Sequence, residues 1–266
     1  GMGGFVSGPG GLATKLMGRK LVIHEQNAVP GFTNKLLAKI ANQVFEAFPN
    51  TFTKNAKIIH TGNPLRKEIV ALSAQPRNIR NSSQRLRILA LGGSQGALAI
   101  NEVVPDVLAD FPKEIRPSVW HQTGERTLER TRAVYADKGL DSEDDITIAA
   151  FISDMAEAYS WADLVICRSG ASTVSEIAAV GLPSILIPYP HHSDQQQTQN
   201  ANWLIQAGAA FLLEQKDLTA AALKTLVVEL HENRNKLQQM SDISKSIAIR
   251  DADEIIARRC LELVHA

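Results

Sequence analysis

The sequence predicts a doubly wound α/β fold built on parallel β-sheet, and three observations predict it. Short apolar runs such as Leu86–Leu91 and Leu164–Cys167 have strand length without polar alternation, as strands buried on both faces do. Helix-length amphipathic segments separate these runs, so strand and helix alternate along the chain. The polar, glycine-rich stretches fall just after the apolar runs, where open parallel sheets carry their ligand loops.

Taken in order, residues 1–11 hold six glycines and Pro9, a composition that predicts a loop between elements. Leu21–His24 reads as a strand, Asn34–Ala41 as a helix introduced by Pro30-Gly31, and Gln43–Phe48 and Lys57–His60 as two further strands. Over 73–85 apolar periodicity is lost while Pro76, Asn78, Asn81, Ser82 and Ser83 accumulate. A linker is therefore expected there, closing a first unit of residues 1–72.

The next unit, 86–245, is more regular. Leu86–Leu91 is a strand, Gly92–Ala97 a turn, Ala97–Asp110 a helix, Ser118–Gln122 a strand and Glu125–Lys138 a helix. Ile146–Ala149, Leu164–Cys167, Ser184–Ile187 and Ala210–Leu213 follow as strands, with helices near Asp154–Trp161, Thr173–Val180 and Gln195–Gln206. These elements predict a sheet of about six parallel strands. Beyond Thr219 only helical patterns remain, and Asp251–Val264 is long enough to pack back across the linker toward the first unit.

Composition narrows the function classes. Lys plus Arg total 28 and Asp plus Glu total 28, so no global positive field gathers nucleic acid or anionic lipid, and nucleic acid is not an expected partner. Cys167 and Cys260 are far apart and outside any C-x-x-C pair, which argues against a disulfide scaffold or structural zinc and fits a reducing cytosol. No apolar run reaches the ~18 residues of a membrane span, and the start lacks the regions of a signal peptide. Neither secretion by that route nor membrane integration is expected.

The loops after the predicted strands hold the chemistry. Gly92-Gly93-Ser94-Gln95-Gly96-Ala97 opens a helix, and glycines there let backbone N–H groups approach an anion at the positive helix end. It lacks a Walker A lysine and does not match G-x-G-x-x-G, so a tight turn without ligand stands beside the phosphate-cradle reading. Arg168-Ser169-Gly170-Ala171-Ser172-Thr173-Val174-Ser175-Glu176 is a second such loop, suited either to a diphosphate with Glu176 accepting a ribose diol, or simply to a Thr173/Glu176 capping box. The stretch from Pro188 to Asn200 is rich in groups that read sugar hydroxyls. A metal site at His191, His192 and Asp194 is disfavoured, since adjacent histidines on a loop rarely converge, and Asp251/Asp253 reads as a solvated helix face. Upstream, His24-Glu25-Gln26-Asn27 follows a strand as a polar cluster, and Arg66 in GNPLR can reach an anion or form a surface ion pair.

In register, GMGGFVSGPGG, HEQNAVPGFTNK, GNPLR, LGGSQGA, FISDM, CRSGASTVSE and DQQQTQNA resemble the MurG family of bacterial glycosyltransferases over essentially the whole chain. The resemblance implies a B-type glycosyltransferase, two Rossmann-like domains facing across a cleft, the N-terminal one incomplete. It implies inverting transfer of N-acetylglucosamine from UDP-N-acetylglucosamine to the muramyl 4-hydroxyl of lipid I, forming lipid II. Carried over by motif, Ser94 and Gln95 contact the diphosphate, Ile152 offers backbone groups to uracil, and Ala171, Ser172, Thr173, Val174, Ser175 and Glu176 surround diphosphate and ribose. Asn27, Arg66, Gln196 and Gln197 line the nucleotide-sugar cleft, and Gln199 stands where the family more often has an aromatic residue. His24 and Glu25 are the acid–base candidates. No cofactor or metal is implied, because helix N-termini can offset the leaving charge. The implied location is peripheral, on the cytoplasmic face of the bacterial inner (plasma) membrane, with lipid I as acceptor and cell-wall synthesis and division proteins as further partners.

The family's first glycine-rich loop, GGTGGH, has no counterpart in this sequence. Three readings therefore stand: the transferase, a donor-binding fragment that recognises UDP-N-acetylglucosamine without transfer, and, on a weaker motif match, a B-type sugar-nucleotide epimerase.

Overall fold

The computed structural model describes residues 1–93, 97–141, 143–191 and 194–265. Two parallel sheets organise the described residues. The smaller holds β1 (Val22–Glu25), β2 (Gln43–Glu46) and β3 (Ile58–His60) in sequence order. The larger holds β4 (Arg87–Leu91), β5 (Ser118–Gln122), β6 (Ile146–Ala149), β7 (Leu164–Cys167), β8 (Ser184–Leu186) and β9 (Ala210–Leu212) in the order β6-β5-β4-β7-β8-β9. Strand order reverses at β4, and the gap between the loops after β4 and β7 is the switch point at which such sheets bind ligands.

Helices cover both faces of the larger sheet, which is why its central strands read as unbroken apolar runs. On one side α4 (Leu98–Ala109), α5 (Leu128–Asp137) and α9 (Ala220–Glu232) enclose a core of Ile88, Ile100, Val104, Tyr135, Ile166 and Leu223. On the other, α6 (Met155–Trp161), α7 (Ala171–Val180), α8 (Gln196–Ala207) and α10 (Arg234–Ile247) enclose Leu89, Val165, Ile177 and Leu204. Each such fully buried aliphatic side chain contributes roughly 1.5–3 kcal/mol. The glycine at 181 stops α7: its φ is 67°, and the Leu182 N–H closes back on the Ile177 carbonyl at 3.1 Å.

One early expectation is corrected, and one helix is added. The glycine-rich start is not all loop: after turns at Gly3 and Gly4 it forms α1 (Ser7–Leu16), and Gly11 is where α1 meets α2 (Phe32–Ile40). A Cβ on Gly11 would stand 2.7 Å from a Leu37 methyl, so the glycine there permits close helix packing. Residues 67–73 form α3, a helix too short to show a periodic pattern in the sequence, and its Ile69 and Leu72 join the apolar cluster of α6 and α7.

The polar stretch that follows is pinned down. Arg77 donates to the carbonyls of Tyr159, Ala162 and Val180, the last turns of α6 and α7. Gln238 Oε1 accepts the Ile79 N–H, Arg80 pairs with Asp163, and Lys245 donates to the carbonyls of Ser73 and Gln75. After α10 the chain recrosses toward the small sheet, where a Cβ on Gly62 would stand 2.9 Å from Ile249. α11 (Ala252–His265) follows on that side. Among the described residues no helix is long and apolar enough to cross a membrane.

Candidate functional site

Register sets the site. Leu91 stands opposite both Gln122 and Cys167, so the chain leaves β4, β5 and β7 side by side at one sheet edge. Above that edge lies a cleft of about 260 Å³, lined by Gly93, Gln122, Phe151, Ile152, Ser153, Met155, Tyr159, Arg168, Thr173 and Glu176, with Arg66 reaching in from the first half.

The glycine turn after β4 is held from below. The Gly92 N–H donates to the Gln122 carbonyl at 2.8 Å, and a Cβ on Gly92 would meet Asn101 Oδ1 at 2.7 Å. Asn101 is itself fixed, donating to the Thr123 carbonyl (2.9 Å) and to Thr127 Oγ1 (3.1 Å), while its Oδ1 accepts from His121 Nε2 (3.1 Å). Tyr135 donates to His121 Nδ1 at 2.9 Å, and burial lowers the histidine to about 3, so the imidazole is neutral. Ser94 and Gln95, the residues expected to contact a diphosphate, lie outside the described residues, as does His192.

After β7, α7 begins at Ala171 with Gly170 as its N-cap and no side-chain cap bond. The capping-box alternative therefore does not describe this helix, and Glu176 is directed elsewhere. Its Oε1 pairs with Arg66, Nε at 3.1 Å and Nη2 at 3.0 Å, and its Oε2 accepts from the Tyr159 hydroxyl at 3.0 Å. Ala171, Thr173 and Ser175 are half-buried and Ser172 is exposed, whereas Val174 is fully buried in the core and has only its backbone to offer. Ile152 is buried, and its N–H donates to Gln122 Oε1 at 3.3 Å, a bond that a base using the same N–H must share or replace.

Asparagines join the two halves across the cleft. Asn200 on α8 accepts from the Ala28 N–H (2.8 Å) and donates to Asn27 Oδ1 (3.2 Å) and to the Ser169 carbonyl (3.2 Å). Asn63 donates to the Gln26 carbonyl and to Ser175 Oγ, both at 3.0 Å. Gln197 Oε1 accepts the Tyr189 N–H, and Ser169 Oγ donates to the Gln197 carbonyl at 2.7 Å. Gln196 donates through Nε2 to Asp194 Oδ2 at 2.7 Å, and the His191 ring meets Tyr189 edge-on at 5.2 Å, so both described members of the disfavoured metal set have other roles.

The two acid–base candidates take structural roles. Glu25, 3% exposed, accepts from the Asn27 N–H and Nδ2 on one oxygen, and from the Gly31 N–H and Asn34 Nδ2 on the other. His24 Nε2 donates to the Gly62 carbonyl at 3.0 Å, its Nδ1 is buried without a partner among the described residues, and burial lowers its pKa against the opposing effects of that carbonyl and Glu25. As placed, Glu25 organises the loop to Asn34 with both oxygens occupied, while His24 braces residue 62 through Nε2 and keeps the Nδ1 lone pair buried. Sequence reasoning missed Tyr159 and Gln122. Each is a polar group on an otherwise buried position of its element, the signal that could have found them.

Residues 87–256 match the glycosyltransferase family 28 C-terminal domain, and residues 1–46 match the glycosyltransferase family 28 N-terminal domain. The chain is 50% identical over 264 residues to a Shewanella sp. (strain MR-4) protein named UDP-N-acetylglucosamine--N-acetylmuramyl-(pentapeptide) pyrophosphoryl-undecaprenol N-acetylglucosamine transferase, covering 99% of this chain and 71% of that protein. It is 48% identical to the protein of the same name from Shewanella oneidensis, with the same coverage. Among solved structures, Acinetobacter baumannii MurG superposes with a TM-score of 0.82 at 39% identity, covering 98% of this chain and 72% of that one. The S. aureus MnaA-UDP co-structure superposes at 0.68 with 15% identity, covering 100% and 76%, a likeness of fold alone.

Proposed function

The chain belongs to glycosyltransferase family 28 and, within it, to the MurG transferases, and from that premise we propose that its cleft binds UDP-N-acetylglucosamine for transfer to lipid I. The reaction is an inverting displacement. A general base, for which His24 and Glu25 are the candidates, takes the proton of the muramyl 4-hydroxyl, the oxygen attacks the anomeric carbon, and UDP departs to leave lipid II for peptidoglycan synthesis. The observation that carries this reading for these residues is the placement of Glu176: a half-buried carboxylate one turn into α7, at the sheet's switch point, bonded by Arg66 from the opposite half.

Negative charge grows on the leaving diphosphate. The N-termini of α4 and α7 each present about half a positive charge toward the sheet edge, and the Arg66 guanidinium adds a full one. In this reading the backbone of Ala171 to Thr173, with Ser94 and Gln95, holds the diphosphate. Ser175 supports that turn, Glu176 takes the ribose hydroxyls, Ile152 the uracil, and Asn27, Gln196 and Gln197 the sugar.

Lipid I presents its head group at a membrane surface. Phe5, Val6, Leu12, Leu16 and Met17 are exposed on and beside α1, with Lys15, Arg19 and Lys20 among them. An apolar patch with basic residues suits peripheral contact with an anionic leaflet, on the cytoplasmic face where UDP-sugars are found. The same reading extends to cell-wall synthesis and division proteins as partners.

Titration with UDP-N-acetylglucosamine against UDP-N-acetylgalactosamine, with EDTA present, tests the donor half, and transfer to a lipid I analogue tests the whole. Selective binding that survives EDTA is expected. Absence of nucleotide binding overturns the site.

A further inference from the structure

The two oxygens of Glu176 are treated differently. Oε1 faces Arg66, whose side chain is 44% exposed and can leave, while Oε2 accepts from Tyr159, which is 1% exposed. Tyr159 cannot move easily. Its ring is packed in the core shared by α6 and α7, and its main-chain carbonyl accepts from Arg77 Nη2 at 2.5 Å. The phenol is also a permanent donor, because burial and the neighbouring Glu176 carboxylate both raise its pKa.

We propose that Tyr159 is a positioning residue for ribose recognition: it locks the Glu176 carboxylate through Oε2 so that Oε1 is aimed at the ribose diol once Arg66 swings away. This rests on the reading of the cleft as the UDP-sugar site. A carboxylate held by one buried hydroxyl has lost its free χ rotation before the ligand arrives, so less ordering opposes binding. Arg66, released from Glu176, becomes available to the diphosphate, which couples ribose capture to phosphate neutralisation. Tyr159 touches neither sugar nor phosphate; it acts through Glu176.

The test compares Tyr159→Phe with the parent chain by calorimetric titration with UDP and with 2′-deoxy-UDP, alongside far-UV spectra and melting curves. The parent should prefer UDP, and Tyr159→Phe should bind UDP about five- to tenfold more weakly while losing most of that preference, since a hydrogen bond to a charged group is at stake. A purely structural role would weaken both ligands alike. In a Glu176→Gln background, adding Tyr159→Phe should change UDP affinity by less than about twofold, because the partner is already altered. Retained ribose discrimination in Tyr159→Phe, or full additivity with Glu176→Gln, overturns the role of Tyr159 and leaves the cleft assignment standing. If the parent binds UDP and 2′-deoxy-UDP equally, ribose recognition by Glu176 falls and the proposal with it, whereas no binding of either overturns the UDP site itself.

Discussion

Arg66 and Glu176 form an ion pair at 3.0 Å that spans the cleft, from the segment after β3 to α7. Arg66 is substantially exposed, so the pair contributes little to stability by itself, at most ~1 kcal/mol. In the proposed reading its weight lies in binding. Arg66→Ala should leave the melting curve nearly unchanged and raise the KM for UDP-N-acetylglucosamine about tenfold, with a weaker dependence on salt. Steady-state kinetics at two ionic strengths check this; an unchanged KM removes Arg66 from the site.

Glu25 separates a structural carboxylate from a catalytic one. Its four bonds come from N–H donors, so Glu25→Gln places an amide NH₂ against them and should cost about 1–3 kcal/mol in denaturant unfolding. A general base would instead leave stability intact and flatten the pH–rate profile. Unfolding curves of the variant decide between the two.

Gly92→Ala should destabilise the larger sheet by about 1–3 kcal/mol, because the new methyl meets Asn101 Oδ1 at 2.7 Å and the Gln122 carbonyl at 3.1 Å. Nucleotide affinity should fall with it, since the glycine turn must rise to make room. A variant as stable as the parent, with parental affinity, would show that the turn is not held as described.

Burial holds His121 at about 3 when folded against 6.5 when unfolded, and lowers His24 in the same sense. Between those values the unfolded chain binds protons that the folded chain does not. Stability is therefore complete above about pH 6.5 and is lost as the pH falls, by about 2–3 kcal/mol from His121 alone at roughly pH 4.5. Urea midpoints across this range check the slope, and His121→Gln should flatten it.

Much of this was legible in the sequence for a simple reason. A strand covered on both faces can contain little but apolar residues, so Leu164–Cys167 announces itself, and the loop after it carries what the core cannot hold. The rest depended on tertiary placement. Gly11 reads as a loop residue until Leu37 is seen lying across it, and Arg77 reads as a solvated linker charge until its guanidinium is seen among three helix-end carbonyls, where burial lowers it to about 10. Tyr159 is hidden in another way: its ring satisfies the pattern of a core aromatic, and only its hydroxyl belongs to the cleft.

The clamping of residues 73–80 also has a mechanical consequence. A segment riveted to α6, α7 and α10 is no slack tether, so the chain passes between the two sheets upstream of it, from Thr61 to Arg66, and returns beside that stretch at Ile249. The two crossings lie side by side, since a Cβ on Gly62 would stand 2.9 Å from Ile249. Asn63 and Arg66 lie within that stretch, so their bonds to Ser175 and Glu176 fasten the crossing itself to α7.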